Sequence, residues 1–305
     1  MLDICLLGCG GMLPLENRWL TSLLVRHNGK MVLIDCGEGT QIPLKLAGWG
    51  LKNIDALCLT HYHADHVAGL PGFLLTLGNS GRTEPLTIMG PPGIEAVIKG
   101  LTVIAPKLPY SFNLIELPQD YNQTQIIGGM IIHSTPADHS LPCLSYAIEI
   151  KRTGLFDPRK AKANKVPISF WSKLQKGETL EKGEEIFTPN MVLGEPRKGL
   201  KVSYCTDTRP SDTLVEFIKD SDLLICEGMY GDDSQLQKAM DKKHMLFSEA
   251  ATLAQNSHVK ELWLTHFSPA MDKPENYLEN AKIIFQNTIL GNNLLSKAMS
   301  FEKKQ

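Results

Sequence analysis

The chain predicts an α/β fold in which two sheets are sandwiched between helices. Three observations point there. Short apolar strand-like runs alternate with helix-like stretches along most of the 305 residues. The alternation recurs over two similar halves. In both halves, side chains able to ligate a metal fall just after an apolar run, at a strand end where a rigid scaffold can aim them. A composition of 43% hydrophobic and 21% charged residues is that of a globular protein, and amphipathic elements of both kinds bury their apolar faces by packing in layers.

Leu2–Leu7 is apolar and ends in Gly8-Cys9-Gly10-Gly11. Thr21–Val25 and Met31–Ile34 read as a hairpin turning at Asn28-Gly29. A helix is expected over Gln41–Ala47, a strand over Ile54–Thr60, a helix over Pro71–Leu77, a strand over Leu86–Met89 and a helix starting at Gly93. Strands follow at Met130–Ser134, ahead of Asp138-His139, and at Leu144–Ile150. In the second half, Lys201–Cys205 and Leu223–Cys226 read as strands ending at Asp207 and Glu227. His244–Ala254 reads as a helix, and Glu261–Leu264 as a strand ending at His266. The candidate site is expected along one sheet edge.

Net charge is −2, which gives no global basic signature for nucleic acid or membrane. Seven scattered cysteines with no C-x-x-C pair read as buried reduced thiols and fit a cytoplasmic protein. No secretory signal and no 18-residue apolar run is visible.

The densest chemistry is His61-Tyr62-His63-Ala64-Asp65-His66, four candidate ligands within six residues. Crowding them at a strand end is costly unless something binds them, and neutral imidazole and carboxylate are ordinary Zn²⁺ donors. His61 and His63 can point the same way from an extended strand end, while Asp65 and His66 on the following turn can face a second ion. One ion can take His61, His63 and His139, the other Asp65, His66 and His266, with Asp207 bridging. Mixed N/O donors suit Zn²⁺, with Mn²⁺ or Fe²⁺ as alternatives. Two ions about 3.5–4 Å apart make the reaction class metal-assisted hydrolysis. His27 and His258 lack patterned partners and read as structural, and His133 as core or as support for the site.

Residues 151–195 break the rhythm. From Lys151 to Lys176 eight basic residues (Lys151, Arg152, Arg159, Lys160, Lys162, Lys165, Lys173, Lys176) stand against one acid, Asp157, with Phe156, Phe170 and Trp171 interleaved. Such a segment reads as a projecting arm for a polyanion, or else as a solvated face.

Thr60–His66 resembles the signature of the metallo-β-lactamase superfamily. Gly8–Gly11, Asp35-Cys36-Gly37-Glu38-Gly39-Thr40-Gln41, His66-Val67-Ala68-Gly69-Leu70-Pro71-Gly72, Gly90–Gly93, Asp207-Thr208-Arg209-Pro210 and Leu264-Thr265-His266-Phe267-Ser268-Pro269 resemble its ribonuclease Z branch, in order over nearly the whole chain. The resemblance implies a single αββα domain over residues 1–305, with an arm insertion at about 151–195. It implies two zinc ions, a homodimer, and removal of 3′ trailers from precursor tRNA just after the discriminator base, with the basic arm at 151–176 engaging the RNA. It makes Asp65 a proton acceptor as well as a ligand and His244 the general acid, with Glu227 beside it.

Some positions depart from the family pattern. Ile168-Ser169 stand where the arm carries Gly-Pro, Glu16 and Trp19 where a loop sensing the tRNA 3′ end carries a basic residue and Asn, and Thr206 where a glycine precedes the bridging Asp. His244 is followed by Met245-Leu246-Phe247 in place of Ser-Thr. These leave a second reading, a related hydrolase of small phosphodiesters or sulfate esters with no tRNA role. A third, a non-catalytic RNA- or metal-binding protein, leaves the filled ligand set without a use.

Overall fold

In the computed structural model, which describes residues 1–105, 107–120 and 122–302, strands β1 (Leu2–Gly8), β2 (Ser22–His27) and β3 (Lys30–Ile34) form an antiparallel meander. Its hairpin turns where the sequence predicts. His27 pairs with Lys30, and Asn28 and Gly29 have φ of 48° and 78°, the primed turn that matches strand twist. Helix α1 (Gln41–Ala47), β4 (Ile54–Cys58), the one-turn α2 (Ala64–Val67), α3 (Leu70–Asn79), β5 (Leu86–Gly90), α4 (Ile94–Leu101) and β6 (Phe112–Glu116) follow. Strands β3 to β6 run parallel.

The next strands, β7 (Gln123–Ile127), β8 (Met130–Ala137) and β9 (Cys143–Arg152), are antiparallel. Helices α5 (Pro158–Ala163) and α6 (Ile168–Gln175) and the hairpin β10 (Leu180–Lys182) and β11 (Glu185–Phe187) come next. Then follow β12 (Arg197–Cys205), α7 (Asp212–Ile218), β13 (Leu223–Glu227), α8 (Leu236–Lys242), α9 (Phe247–Asn256), β14 (Leu262–Thr265), α10 (Leu278–Lys282), β15 (Thr288–Leu290) and β16 (Leu295–Met299).

The strands make two seven-stranded sheets, ordered β16-β1-β2-β3-β4-β5-β6 and β15-β14-β13-β12-β9-β8-β7. Alternate residues of the first sheet (Cys5, Leu7, Leu24, Met31, Leu33, Leu57, Ile88) pack with Leu44 of α1, Phe73, Leu74 and Leu77 of α3, and Ile94 and Ile98 of α4. The intervening residues Ile4, Leu6, Leu23, Val25 and Val32 are equally buried, which is why these strands read as continuous apolar runs. Between the sheets, Tyr146 Oη donates to Leu59 O at 2.8 Å, and Thr21 Oγ1 lies 2.8 Å from Thr265 Oγ1. Helices α7, α9 and α10 pack with the second sheet and with one another. This is the layered α/β architecture that the sequence predicts, two mixed sheets with helices packed on them.

Contacts divide the chain into Met1–Glu149 with Lys201–Glu302, and a smaller unit over Ile150–Leu200. The smaller unit has its own core of Ala161, Val166, Leu174, Phe187, Val192 and Leu193. Asp157 caps α5 by accepting from the N–H groups of Arg159 and Lys160, with Pro158 opening the helix. Phe156, Phe170 and Trp171 are half-buried against this core, and the Phe156 and Trp171 rings are 5.1 Å apart. These aromatics hold the unit together, whereas Arg159, Lys162, Lys165, Lys173 and Lys176 are exposed.

Two expectations need correction. The helix expected from His244 begins at Phe247, and His244 lies in the loop before it. That loop is drawn into extended backbone by Tyr230, whose N–H donates to Met245 O and whose carbonyl accepts from Phe247 N. His133 supports no site. It sits half-exposed on β8 between Thr124, 3.1 Å away, and Glu149, 3.1 Å away.

Candidate metal centre

Apart from His139, which follows the antiparallel β8, the functional side chains project from the carboxyl ends of parallel strands, the usual location of sites in such sheets. His61, His63, Asp65 and His66 follow β4, Asp207 follows β12, Glu227 ends β13, His266 follows β14 and His139 follows β8. Asp35, Asp207 and His266 have φ of 61°, 53° and 58°. Left-handed backbone is sparsely populated for non-glycine residues but least costly for Asp and His, and strained positions cluster at functional sites. Glycines let the loops close. A Cβ at Gly37 would meet Asp65 O at 1.9 Å, and one at Gly11 would meet the His266 ring at 2.7 Å.

All seven predicted ligands converge in two groups. In the first, His61 Nε2 is 2.9 Å from His63 Nδ1, which is 3.2 Å from His139 Nε2. In the second, His66 Nε2 is 3.2 Å from His266 Nε2, and Asp65 Oδ2 is 3.5 Å from the former and 3.4 Å from the latter. Asp207 divides its carboxylate between them. Its Oδ2 lies 3.5 Å from His61 Nε2 and 3.8 Å from His139 Nε2, while its Oδ1 lies 3.4 Å from His66 Nε2 and 3.2 Å from His266 Nε2. Tetrahedral donors on bonds of about 2.0–2.1 Å lie about 3.3 Å apart, so both groups have the spacing of a metal shell.

The electrostatics agree. Burial, reinforced for His61 by the neighbouring imidazoles, pushes His61, His63 and His139 below the usual histidine range, leaving neutral rings with free lone pairs. At His66 burial acts the same way but is outweighed by the charges of Asp207 and Asp35, which hold it well above the ordinary value. At Asp65 and Asp207 burial favours the neutral acid but is outweighed by His266, His66 and, for Asp207, His61, so both stay ionised. A buried pocket this negative attracts a cation. His266 Nδ1 is buried with no hydrogen-bond partner.

Outer contacts orient the rings. His66 Nδ1 donates to Asp35 Oδ2 at 2.8 Å, and His139 Nδ1 donates to Lys243 O at 3.2 Å, so each ring offers Nε2 to the centre. Asp35 also accepts from Thr60 N and Thr60 Oγ1. Thr206 Oγ1 donates to Asp207 Oδ1 at 2.6 Å, so the residue that departs from the family glycine aligns the carboxylate between the two groups.

His244 lies at the rim, stacked on His266 with centroids 5.6 Å apart, and its Nδ1 donates to Glu227 Oε2 at 3.0 Å. Burial opposes the charged ring but is outweighed by the Glu227 carboxylate, and His244 is pushed up to about 9. Three contributors were missed in the sequence. Asp35 could have been noticed as an acid at the end of an apolar run. Nothing local marks Arg209, which donates to His244 O and forms an ion pair with Glu249, or Met12, whose N–H donates to Asp65 Oδ2 at 2.7 Å.

A family model of the metallo-beta-lactamase superfamily matches residues 21–146. Ribonuclease Z of Clostridium kluyveri is 55% identical over 303 residues, covering 99% of this chain and 100% of the relative. Ribonuclease Z of Clostridioides difficile is 48% identical over 305 residues, covering 99% and 100%. Among solved structures, human tRNase Z, short form, superposes with a TM-score of 0.71 at 22% identity, over 98% of this chain and 100% of that one. A diphosphatase of the PhnP family superposes with a TM-score of 0.65 at 17% identity, over 98% of each. At that identity the two structures speak for the fold, while the sequence relatives speak for the family. The chain therefore belongs to the ribonuclease Z family, an endoribonuclease branch of the metal-dependent hydrolases in the metallo-β-lactamase superfamily.

Proposed function

We propose that this protein is a two-zinc endoribonuclease that removes 3′ trailers from precursor tRNA, cutting just after the discriminator base. The observation that carries the catalytic part is the division of the Asp207 carboxylate between two donor groups of metal-shell spacing. The substrate is carried by the ribonuclease Z relatives, which match the whole chain.

His61, His63 and His139 would hold one ion, Asp65, His66 and His266 the other, with Asp207 shared. Zn²⁺ suits these donors, with Mn²⁺ and Fe²⁺ as alternatives. Bound there, such ions supply Lewis-acid stabilisation of the phosphodiester and lower the pKa of water. Asp65, held by the Met12 N–H, accepts the proton of the attacking water. His244, kept protonated by Glu227, donates to the leaving 3′ oxygen, as a positioned general acid does. Asp35 and the Lys243 carbonyl fix the imidazole tautomers.

The exposed lysines of 151–176 and Arg159 suit the phosphate backbone of tRNA, and we assign that segment as the RNA-binding arm of one metallo-β-lactamase domain. We also read the protein as a cytoplasmic homodimer. Seven free buried thiols fit a reducing compartment. No helix among the described residues is long and apolar enough to cross a membrane. Exposed Ile42 and Leu46 on α1, Leu75 on α3, and Val103 and Ile104 just after α4 offer an apolar face to a second copy.

The test is to map the product of zinc-loaded protein on a precursor tRNA lacking an encoded CCA. A single cut after the discriminator base, lost in Asp65→Ala with the fold intact, is expected. Hydrolysis of bis(p-nitrophenyl) phosphate with an uncut RNA would move the assignment to the small-ester reading.

A further inference from the structure

A cleft beside the centre takes no part in the metal chemistry. It encloses ≈ 320 Å³, open solvent at its mouth included, and is lined by Tyr230, Tyr277, Met229, Met271, Gln235 and Lys238. Its near wall is Tyr230, whose ring lies 6.4 Å from the His244 ring at 80° and carries Lys238 Nζ 4.9 Å from its centroid. Its other tyrosine, Tyr277, is half-buried with its ring against the backbone of Gly231, where a Cβ would sit 2.4 Å from Tyr277 Cγ. The wall is braced from outside. Arg18 donates to the carbonyls of Met271 and Asp272 at 2.8 and 3.1 Å, and Asn280 Nδ2 donates to Gly231 O at 2.8 Å.

We propose that this cleft is a nucleobase subsite, holding the base of the nucleoside whose 3′ oxygen is the leaving group. The proposal rests on the RNA-cleaving reading and deepens it. His244 must reach the leaving oxygen, and the base on that same sugar then lies about one sugar's width away. The cleft begins there, on the other side of Tyr230. Its surfaces are those a flat heteroaromatic ring meets well, namely two phenol rings and two polarisable thioethers. Stacking is sequence-tolerant because every base has a π-face, so the subsite accepts all four bases at that position. Lys238 and the Gln235 carboxamide supply a cation and one donor–acceptor pair at the edge, so any preference among the bases is set there and not by the stacking.

The test is a cycle between protein and RNA. Precursor tRNA is made with an abasic sugar at the nucleotide 5′ to the cut, and separately at the nucleotide 3′ to it. Wild type and Tyr277→Ala are compared on both and on intact RNA, with Tyr277→Phe as the conservative variant. The 5′ abasic RNA should lower kcat/KM of the wild type roughly tenfold, the scale of one stacked base. Tyr277→Ala should lose as much on intact RNA and nothing further on the 5′ abasic RNA, and Tyr277→Phe should keep wild-type rates. A wild type that cuts intact RNA but is indifferent to the 5′ abasic sugar overturns the subsite alone, as does a loss seen only with the 3′ abasic RNA. A wild type that leaves intact RNA uncut overturns both readings. The abasic comparison on wild type needs no variant, so a misfolded Tyr277→Ala does not shield the proposal.

Discussion

His244 Nδ1 lies 3.0 Å from Glu227 Oε2, and that carboxylate is itself pinned by the backbone N–H groups of Thr208 at 2.6 Å and Met245 at 3.1 Å. A carboxylate that already accepts two backbone N–H groups accepts from the ring as well, so Nδ1 carries the proton and Nε2 is the end offered outward. The pair has the geometry of an imidazolium kept charged by its neighbour.

In the metal-free protein His244 therefore titrates near 9, above an ordinary histidine. Its folded value is raised, so the stabilisation of about 3 kcal/mol that this implies is fully present below about 6.5 and is lost as pH rises through about 9. Glu227→Gln removes the charge and should bring the ring's NMR titration down towards the usual range. With metal bound, the same substitution should lower kcat about a hundredfold and move the alkaline limb of the rate profile to lower pH. An unmoved His244 titration in Glu227→Gln would mean that Glu227 is not its charge partner.

Arg209 is the second brace on that loop. It donates to His244 O and grips Glu249, which in turn accepts from Leu246 N at 3.0 Å. Arg209→Met should lower kcat tenfold or more while leaving bound metal unchanged. Arg209→Lys should rescue little, because one ammonium cannot replace a forked guanidinium. Loss of metal in parallel with activity would show that Arg209 serves the centre as a whole.

The candidate ligands stand out in the sequence because most of them follow apolar strands whose ends are easy to see, as at Leu57–Leu59 before His61 or Leu262–Leu264 before His266. What was not legible depends on partners distant in sequence. The loop at His244 reads as helix until Tyr230 draws Met245 and Phe247 into pairing with it. Strands β7 and β16 lie at sheet edges, half-buried and rich in polar residues, so neither a clean alternation nor an apolar run announces them. The interleaved aromatics of the basic segment look like stacking platforms in sequence, yet Trp171 Nε1 donates to Val166 O and its ring packs inward.

That packing changes how the basic segment is best tested. Deleting residues 155–176 would strip half of a small core, so neutralising exposed charge is cleaner. Replacing Lys162, Lys165, Lys173 and Lys176 with Gln should raise KM for precursor tRNA, and flatten its salt dependence by about 0.7–0.9 in log–log slope per lost phosphate contact. Hydrolysis of bis(p-nitrophenyl) phosphate should be unchanged. An equal loss on both substrates would assign the segment a role in the fold rather than in RNA binding.

The most direct test of the account is the number of ions bound per chain. Equilibrium dialysis against zinc, followed by elemental analysis, should find two per wild-type chain. Asp207→Ala should lose at least one of them, together with RNA cleavage, because its two oxygens face His61 and His139 on one side and His66 and His266 on the other. A single ion in an active wild type, or an Asp207→Ala chain that keeps both ions and full activity, would contradict the two-ion centre.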